Sequence, residues 1–300
     1  MHKIREQLPL IPYGSSAPSF VYNGDVFDIL KILPSGICRT AITSPPYWGL
    51  RDYEADGQIG SEDDVNIYIQ KLVKAFHELR RVLTDDGTFW LNIGDCYTSG
   101  GRTWRAPDKK NPARAMSYRA PTPKGLKPKE LVGVPWRLAM ALQSDGWYLR
   151  SEIIWHKPNV HPESVKDRPT RAHETIFLLT KNEDYYYDYQ AICEKGANGN
   201  VRNKRSIWSV QTEAFNGAHF ATFPPKLIEP CVLAGSAIDD YIIDPFFGSG
   251  TTGLVASTLN RNFIGIELKP DYIELAESRL KKQGITFDVI YSIERSKQFV

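Results

Sequence analysis

Tyr241-Ile242-Ile243-Asp244-Pro245-Phe246-Phe247-Gly248-Ser249-Gly250-Thr251-Thr252-Gly253 is the stretch that decides how this chain folds. Four residues with strand character run into a glycine-spaced turn, and the next segment, about Gly250 to Leu259, reads as a helix. A second strand follows at Phe263-Ile264-Gly265-Ile266-Glu267, and Pro270 to Lys282 reads as a further helix. Glycines at 248, 250 and 253, placed after a strand and at a helix start, let the backbone approach a ligand closely. Glu267, at the end of the next strand, can accept hydrogen bonds from both hydroxyls of a ribose.

That geometry suits any adenosine-carrying cofactor. It does not separate a nicotinamide dinucleotide from S-adenosylmethionine, and a tight turn that only packs a helix stays open as well. Asp244 adds a carboxylate one turn before the glycines. There it would face an ammonium or sulfonium group and repel a pyrophosphate.

Upstream, strand and helix signals alternate. Gly36 to Thr43 reads as a strand ending at a double proline, and from Ser61 an amphipathic helix places Val65, Ile69, Leu72, Val73 and Phe76 at helical spacing. Phe89 to Ile93 reads as a strand after the turn Asp85-Asp86-Gly87, and a helix from about Pro128 to Gln143 stops near Gly146. Trp147 to Trp155 and Glu174 to Thr180 read as strands, Tyr185 to Asn216 as irregular, and about Pro225 to Ala234 as a helix. Such alternation predicts an α/β fold with a largely parallel sheet covered by helices on both faces, its ligands at the carboxyl ends of the strands.

Thr43-Ser44-Pro45-Pro46-Tyr47 falls at such an end. An exocyclic amine of cytosine or adenine is a poor nucleophile because its lone pair is delocalised into the ring. Acceptors at its two hydrogens draw the nitrogen toward a tetrahedral geometry and free that lone pair. Ser44 offers a hydroxyl oxygen and Pro45 a carbonyl, Pro46 lacks an N–H and stiffens the loop, and Tyr47 can stack on a flat base that has been flipped out of a duplex. A rigid strand-end turn is the other meaning of the same tetrapeptide.

The chain has 300 residues, 42% apolar and 24% charged, the balance of a globular protein with a substantial core. It has no run of 18 apolar residues, and no apolar segment follows Met1 to Glu6, which reads as a cytoplasmic protein without a membrane span. Cys38, Cys96, Cys193 and Cys231 lie far apart, and His156, His161 and His173 lack ligand spacing, so no metal is expected. Pro230-Cys231 could be taken for the nucleophile of a ring-carbon methylating enzyme, but it sits within a predicted helix and reads as a buried thiol.

Net charge is only +2, but it is unevenly spread. Between Tyr97 and Glu130 nine basic residues, Arg102, Arg105, Lys109, Lys110, Arg114, Arg119, Lys124, Lys127 and Lys129, face only Asp108 and Glu130, a local charge of +7. Lys195, Arg202, Lys204 and Arg205 form a second acid-free stretch. Clustered cations in Gly/Pro-rich loops suit a phosphate backbone, with a solvated surface loop as the alternative. Arg168 and Arg171 are candidates for phosphates or for pairing with Glu174, and Tyr185 to Tyr189 reads as an aromatic strand packed on the sheet.

With both loops in view the sequence resembles the amino-methylating DNA methyltransferases, in the circularly permuted subgroup whose catalytic motif precedes the cofactor motif. The resemblance covers nearly the whole chain: Asn23 to Asp25, Thr43 to Tyr53, Glu152 to Asn159, His219 to Pro224, Asp244 to Thr252 and Phe263 to Glu267. It implies a Rossmann-like methyltransferase domain over residues 1–300 with a mostly parallel seven-stranded sheet. It also implies a basic DNA-binding insertion at 97–127 and a target-recognition region at 161–217. Ser44, Pro45, Pro46 and Tyr47 would be the catalytic loop. The cofactor, S-adenosylmethionine, would be held by Asp25, Thr43, His219, Phe220, Phe223, Asp244, Pro245, Phe246, Gly248, Gly250, Thr251, Thr252 and Glu267. Double-stranded DNA is the expected substrate, with a cognate restriction endonuclease and a homodimeric partner admitted by the resemblance. Serine at the first motif position is associated with cytosine N4 in this family, and adenine N6 is the alternative. A nicotinamide-dependent dehydrogenase and a non-catalytic nucleic-acid-binding protein are the rivals from other classes, and the Ser-Pro-Pro-Tyr loop with Asp244 speaks against the first.

Overall fold

A computed structural model describes residues 18–50, 57–98, 120–160, 162–196, 198–213 and 223–291. Its strands are β1 (Phe20–Asn23), β2 (Cys38–Thr43), β3 (Leu83–Ile93), β4 (Tyr148–His156), β5 (His173–Thr180), β6 (Glu194–Lys195), β7 (Val201–Arg202), β8 (Ile207–Ser209), β9 (Tyr241–Asp244), β10 (Asn262–Glu267) and β11 (Asp288–Tyr291). The helices are α1 (Val26–Ile32), α2 (Val65–Val82), α3 (Val134–Ser144), α4 (Pro225–Gly235), α5 (Thr251–Thr258) and α6 (Pro270–Lys281).

The main sheet runs β11-β1-β10-β9-β2-β3-β5-β4-β8. Only β5 runs against its neighbours, pairing antiparallel with β3 and β4. The six strands that the sequence predicts, β2, β3, β4, β5, β9 and β10, make a seven-stranded body together with β1, which no sequence signal marks. Two short edge strands, β11 beside β1 and β8 beside β4, raise the count to nine. Neither edge strand was expected. β8 is only Ile207–Ser209, too short for an alternating pattern, and it is held by burial of Trp208, which is 5% exposed.

Alternation along the strands splits the core in two. Tyr22, Ala41, Phe89, Leu91 and Ile243 pack under α1, α2 and α3, whereas Val21, Ile42, Trp90, Ile242 and Phe263 pack under α4, α5 and α6. Strands buried on both faces read as continuous apolar runs, as parallel sheets do.

Local rules set the helix starts. Asp64 caps α2 by accepting from Asn66 N at 2.8 Å, which places the first turn at Val65, later than Ser61. Asp95 Oδ1 accepts from Gly133 N and Val134 N, both at 2.9 Å, so α3 starts there and not at Pro128. The expected turn Asp85-Asp86-Gly87 is instead part of β3, as an irregularity in the β2–β3 register held by ion pairs of Asp86 with Arg39 and Asp85 with Lys181. The aromatic run Tyr185–Tyr189 forms no strand. Tyr187 stacks against Trp90 at 6.3 Å between ring centroids, and Tyr186 N bonds to Asp86 O, so the segment is fixed by its rings rather than by a ladder. Cys231 lies buried within α4, where burial pushes its thiol pKa up, as a structural cysteine should be.

Among the described residues no helix is long and apolar enough to cross a membrane, and no cluster of His, Cys, Asp and Glu has a metal-binding arrangement. Most of the basic stretch at 97–127 lies outside the described residues, as do His219 and Phe220.

Candidate active site

β2 and β9 are adjacent parallel strands, in register at Thr40–Ile242 and Ala41–Ile243, so the two loops of interest leave the sheet side by side. Thr43 Oγ1 donates to Asp244 Oδ1 at 2.5 Å, and Thr252 Oγ1 donates to Asp244 Oδ2 at 2.6 Å. Phe246 N adds a third bond to Oδ1 at 3.0 Å. Thr43 and Thr252 therefore fix the carboxylate that joins the loops, and both are buried. Burial pushes the Asp244 pKa up to about 6, with the three hydrogen bonds opposing the rise.

At the next strand end, Glu267 Oε2 accepts from Gly248 N at 2.8 Å and Oε1 from Lys269 N at 2.9 Å. Its pKa is driven up to about 7, mainly by burial, then by the negative charge of Asp244. Among the described residues neither carboxylate has an ion-pair partner.

The turn between them is shaped by packing. Gly250 has φ +78° at the start of α5, a conformation costly for other residues. Phe247 fills a niche under the turn, stacked on Phe263 at 5.4 Å. A Cβ on Gly265 would come within 2.6 Å of its ring and one on Gly253 within 2.8 Å. Gly253, the third glycine of the motif, thus serves Phe247 rather than a ligand. Thr251 Oγ1 accepts from Arg279 Nη1 at 2.8 Å, which braces the first turn of α5.

A pocket opens between these elements, lined by Asp25, Ser44, Pro46, Phe223, Asp244, Pro245, Phe246, Gly248, Thr251 and Glu267. Asp25 caps α1 through Phe27 N at 2.8 Å and borders the pocket from β1, whose end is tied to β10 by Gly24 N to Glu267 O at 3.0 Å. Two buried, cation-free carboxylates on one apolar pocket fit a ligand that brings a positive charge and a diol. That is the chemistry of S-adenosylmethionine. A dinucleotide would place its pyrophosphate beside Asp244.

Ser44 and Pro46 line the same pocket, so the two motifs converge on one cavity. Pro45 is buried, and the Pro46 carbonyl is held by Tyr68 Oη at 2.8 Å. Trp48 Nε1 donates to Glu62 O at 2.7 Å, and Glu62 Oε2 takes Gly60 N at 2.8 Å, which stiffens the chain beyond the tetrapeptide. Tyr47 is tied down at its hydroxyl: it donates to Glu174 Oε2 at 2.8 Å and accepts from Asn92 Nδ2 at 3.0 Å and from Ser44 Oγ at 3.3 Å. Burial and the Glu174 charge raise the Tyr47 pKa well above its ordinary value, so the phenol keeps its proton.

Asn92, Glu174 and Lys157 were not among the sequence candidates. Asn92 had a signal, a polar side chain within the apolar strand Phe89–Ile93. The sequence offers Glu174 only as a partner of Arg168 or Arg171, and the structure corrects that pairing. Arg168 binds Glu163 at 2.5 Å and lies over the Tyr97 ring at 3.9 Å, whereas Arg171 contacts His173 O at 3.3 Å and sits 3.8 Å from Asp95. Arg202 and Arg205 both pair with Glu194, at 3.1 and 2.6 Å, and Lys204 lies over Trp208. Arg102, Arg105, Lys109, Lys110, Arg114 and Arg119 lie outside the described residues.

A family model described as DNA methylase matches residues 38–278. Type II methyltransferase M.Cfr9I of Citrobacter freundii is 57% identical over 290 residues, covering 97% of this chain and 95% of that protein. The PvuII DNA methyltransferase, described as cytosine-N4-specific, superposes with a TM-score of 0.66 at 21% identity, covering 91% of this chain and 96% of that one. TTHA0409 of Thermus thermophilus, solved with S-adenosyl-L-methionine, gives a TM-score of 0.62 at 23% identity, covering 90% of this chain and 99% of that one. These two structures share its fold.

Proposed function

The chain belongs to the DNA methylase family, and from that premise we propose that it methylates the N4 amino group of a cytosine flipped out of double-stranded DNA. It is a DNA amino-methyltransferase, and its methyl donor is S-adenosylmethionine. One observation carries the proposal: Ser44, at the carboxyl end of β2, and the Asp244–Glu267 carboxylates border a single pocket. Amine acceptor and cofactor groups therefore lie within reach of one reacting pair.

Asp244 and Glu267 would hold the cofactor's charged end and ribose, with Gly248, Phe246 and Pro245 along its length, Asp25 toward its base, and Phe223, with His219 and Phe220, closing the pocket. When bound, S-adenosylmethionine supplies an electrophilic methyl carbon. The chain's own residues prepare the amine. Ser44 Oγ and the Pro45 carbonyl accept its two hydrogens, which draws the nitrogen out of conjugation with the ring. Pro46 and its bond from Tyr68 hold those acceptors in place, so orientation contributes most and local electrostatics second. The Tyr47 ring offers its face to the base while its hydroxyl is anchored.

Serine at position 44, a short neutral acceptor, supports cytosine over adenine through the family resemblance. The basic residues at 97–127, with Arg168, Arg171, Arg202, Lys204 and Arg205, would serve the phosphate backbone, giving strongly salt-dependent binding. A cognate restriction endonuclease as partner belongs to the same proposal.

Ser44→Ala tests it. Cofactor affinity by calorimetry should stay near wild type while methyl transfer falls by about 10²-fold or more, the scale of a lost transition-state hydrogen bond. Unchanged turnover would remove Ser44 from the chemistry.

A further inference from the structure

Behind the Ser44–Tyr47 loop lies a partly buried polar chain whose direction is fixed by one carboxylate. Glu174 stands at the start of β5, with its side chain 18% exposed. Its Oε1 takes Lys157 Nζ at 2.5 Å, and Oε2 takes both Tyr47 Oη at 2.8 Å and Asn92 Nδ2 at 3.1 Å. An ionised carboxylate only accepts, so the single phenolic proton of Tyr47 must point at Glu174. The Tyr47 oxygen is then left as an acceptor. It receives the Ser44 hydroxyl proton at 3.3 Å and Asn92 Nδ2 at 3.0 Å. Asn92 supports the same polarity: its amide nitrogen faces the acceptors, and its Oδ1 has no hydrogen-bond partner among the described residues. Turning that amide over would set its oxygen against the Glu174 carboxylate.

We propose that Glu174 is a positioning residue that orients the Tyr47–Ser44 chain, so that Ser44 shows the target amine a lone pair instead of a proton. Lys157 holds the far carboxylate oxygen and thereby fixes the rotation of the group, with the other oxygen toward Tyr47. The inference rests on the reading that Ser44 accepts a hydrogen from the amine.

Glu174→Gln separates polarity from shape. Lys157 attracts the amide oxygen of the new glutamine, leaving its NH₂ toward Tyr47, which then donates to Ser44 and occupies the acceptor. Cofactor affinity should hold, while kcat falls by about 10- to 100-fold, the scale of one misdirected hydrogen bond in a partly buried site. Adding Lys157→Met frees the glutamine to present its oxygen to Tyr47, and kcat should recover most of the loss. A merely structural role predicts the opposite, a double variant worse than either single one. In a Tyr47→Phe background, itself slowed, Glu174→Gln should cost nothing more.

An unchanged kcat in Glu174→Gln, or no recovery in the double variant, overturns the proposal. Ser44→Ala measured alongside keeps the failures distinct, because an active Ser44→Ala enzyme sinks the reading beneath it, whereas an inactive one with a normal Glu174→Gln sinks only this inference. Should Glu174→Gln fail to bind cofactor, Tyr47→Phe decides, and a wild-type kcat there refutes the chain.

Discussion

Asp244→Asn should make the cofactor-free protein more stable at pH 8, although it removes a carboxylate from the centre of the site. Burial lifts the Asp244 pKa from an ordinary 3.8 to about 6, so the folded state holds this proton more tightly than the unfolded chain does. The associated stability is fully present below pH 3.8 and is lost as pH rises through about 6. At about 1.4 kcal/mol per tenfold, the ionised form costs roughly 3 kcal/mol at pH 8. Asparagine resembles the protonated form and can satisfy the surroundings. Its oxygen still accepts from Thr43 Oγ1 and Phe246 N, both on Oδ1, while its NH₂ donates to Thr252 Oγ1, whose hydroxyl rotates. Urea denaturation of wild type and variant without cofactor should therefore show a difference of up to about 3 kcal/mol in favour of the variant at pH 8, shrinking toward zero near pH 4. The surface carboxylates titrate in both proteins and cancel, whereas Glu267, freed in the variant of the Asp244 charge that raises its pKa, shifts the balance in the same direction. Added S-adenosylmethionine should reverse the order: at a thousandfold excess over Kd it stabilises wild type by about 4.1 kcal/mol, and the variant by much less. A variant less stable than wild type at pH 8 would refute the view that this carboxylate is held against its own burial cost for the ligand.

Two further outcomes follow from the packing. Gly265→Ala brings a Cβ to 2.6 Å from the Phe247 ring and should lower stability by about 1–3 kcal/mol in denaturant titration, because that ring is wedged between Gly253, Gly265 and Phe263. Tyr68→Phe leaves the Pro46 carbonyl without its 2.8 Å partner and should cost about 1–3 kcal/mol, with kcat falling while cofactor affinity measured by calorimetry stays near wild type.

The strands that carry the site were legible because strong local signals coincide there. Tyr241 to Asp244, the glycine-spaced turn and Phe263 to Glu267 together combine β-formers, a helix start and two acidic strand ends, and all fall where the sheet places ligands. Thr43 and Thr252 were legible as motif members but not as the donors that lock Asp244, since the pairing of β2 with β9 spans about 200 residues and leaves no local trace. Asp85 to Gly87 looked like a turn because its composition is that of one, and tertiary ion pairs draw it into β3. β1 and β11 are short, and nothing in their patterns separates them from buried loop. Glu174 was hidden for a different reason: its partners Tyr47, Asn92 and Lys157 come from three separate segments, so only the fold brings them together.

The most direct test of the site is the identity of the modified base. Duplex DNA incubated with the protein and S-adenosylmethionine carrying a labelled methyl group would be digested to nucleosides and resolved by mass spectrometry. The label should appear on the N4 amino group of cytosine, and Ser44→Ala should slow its appearance by about 10²-fold or more. Label on a ring carbon, or equal labelling by Ser44→Ala, would contradict amino methylation at the Ser44-Pro45-Pro46-Tyr47 loop, and label on adenine N6 would move the substrate while leaving that loop in place.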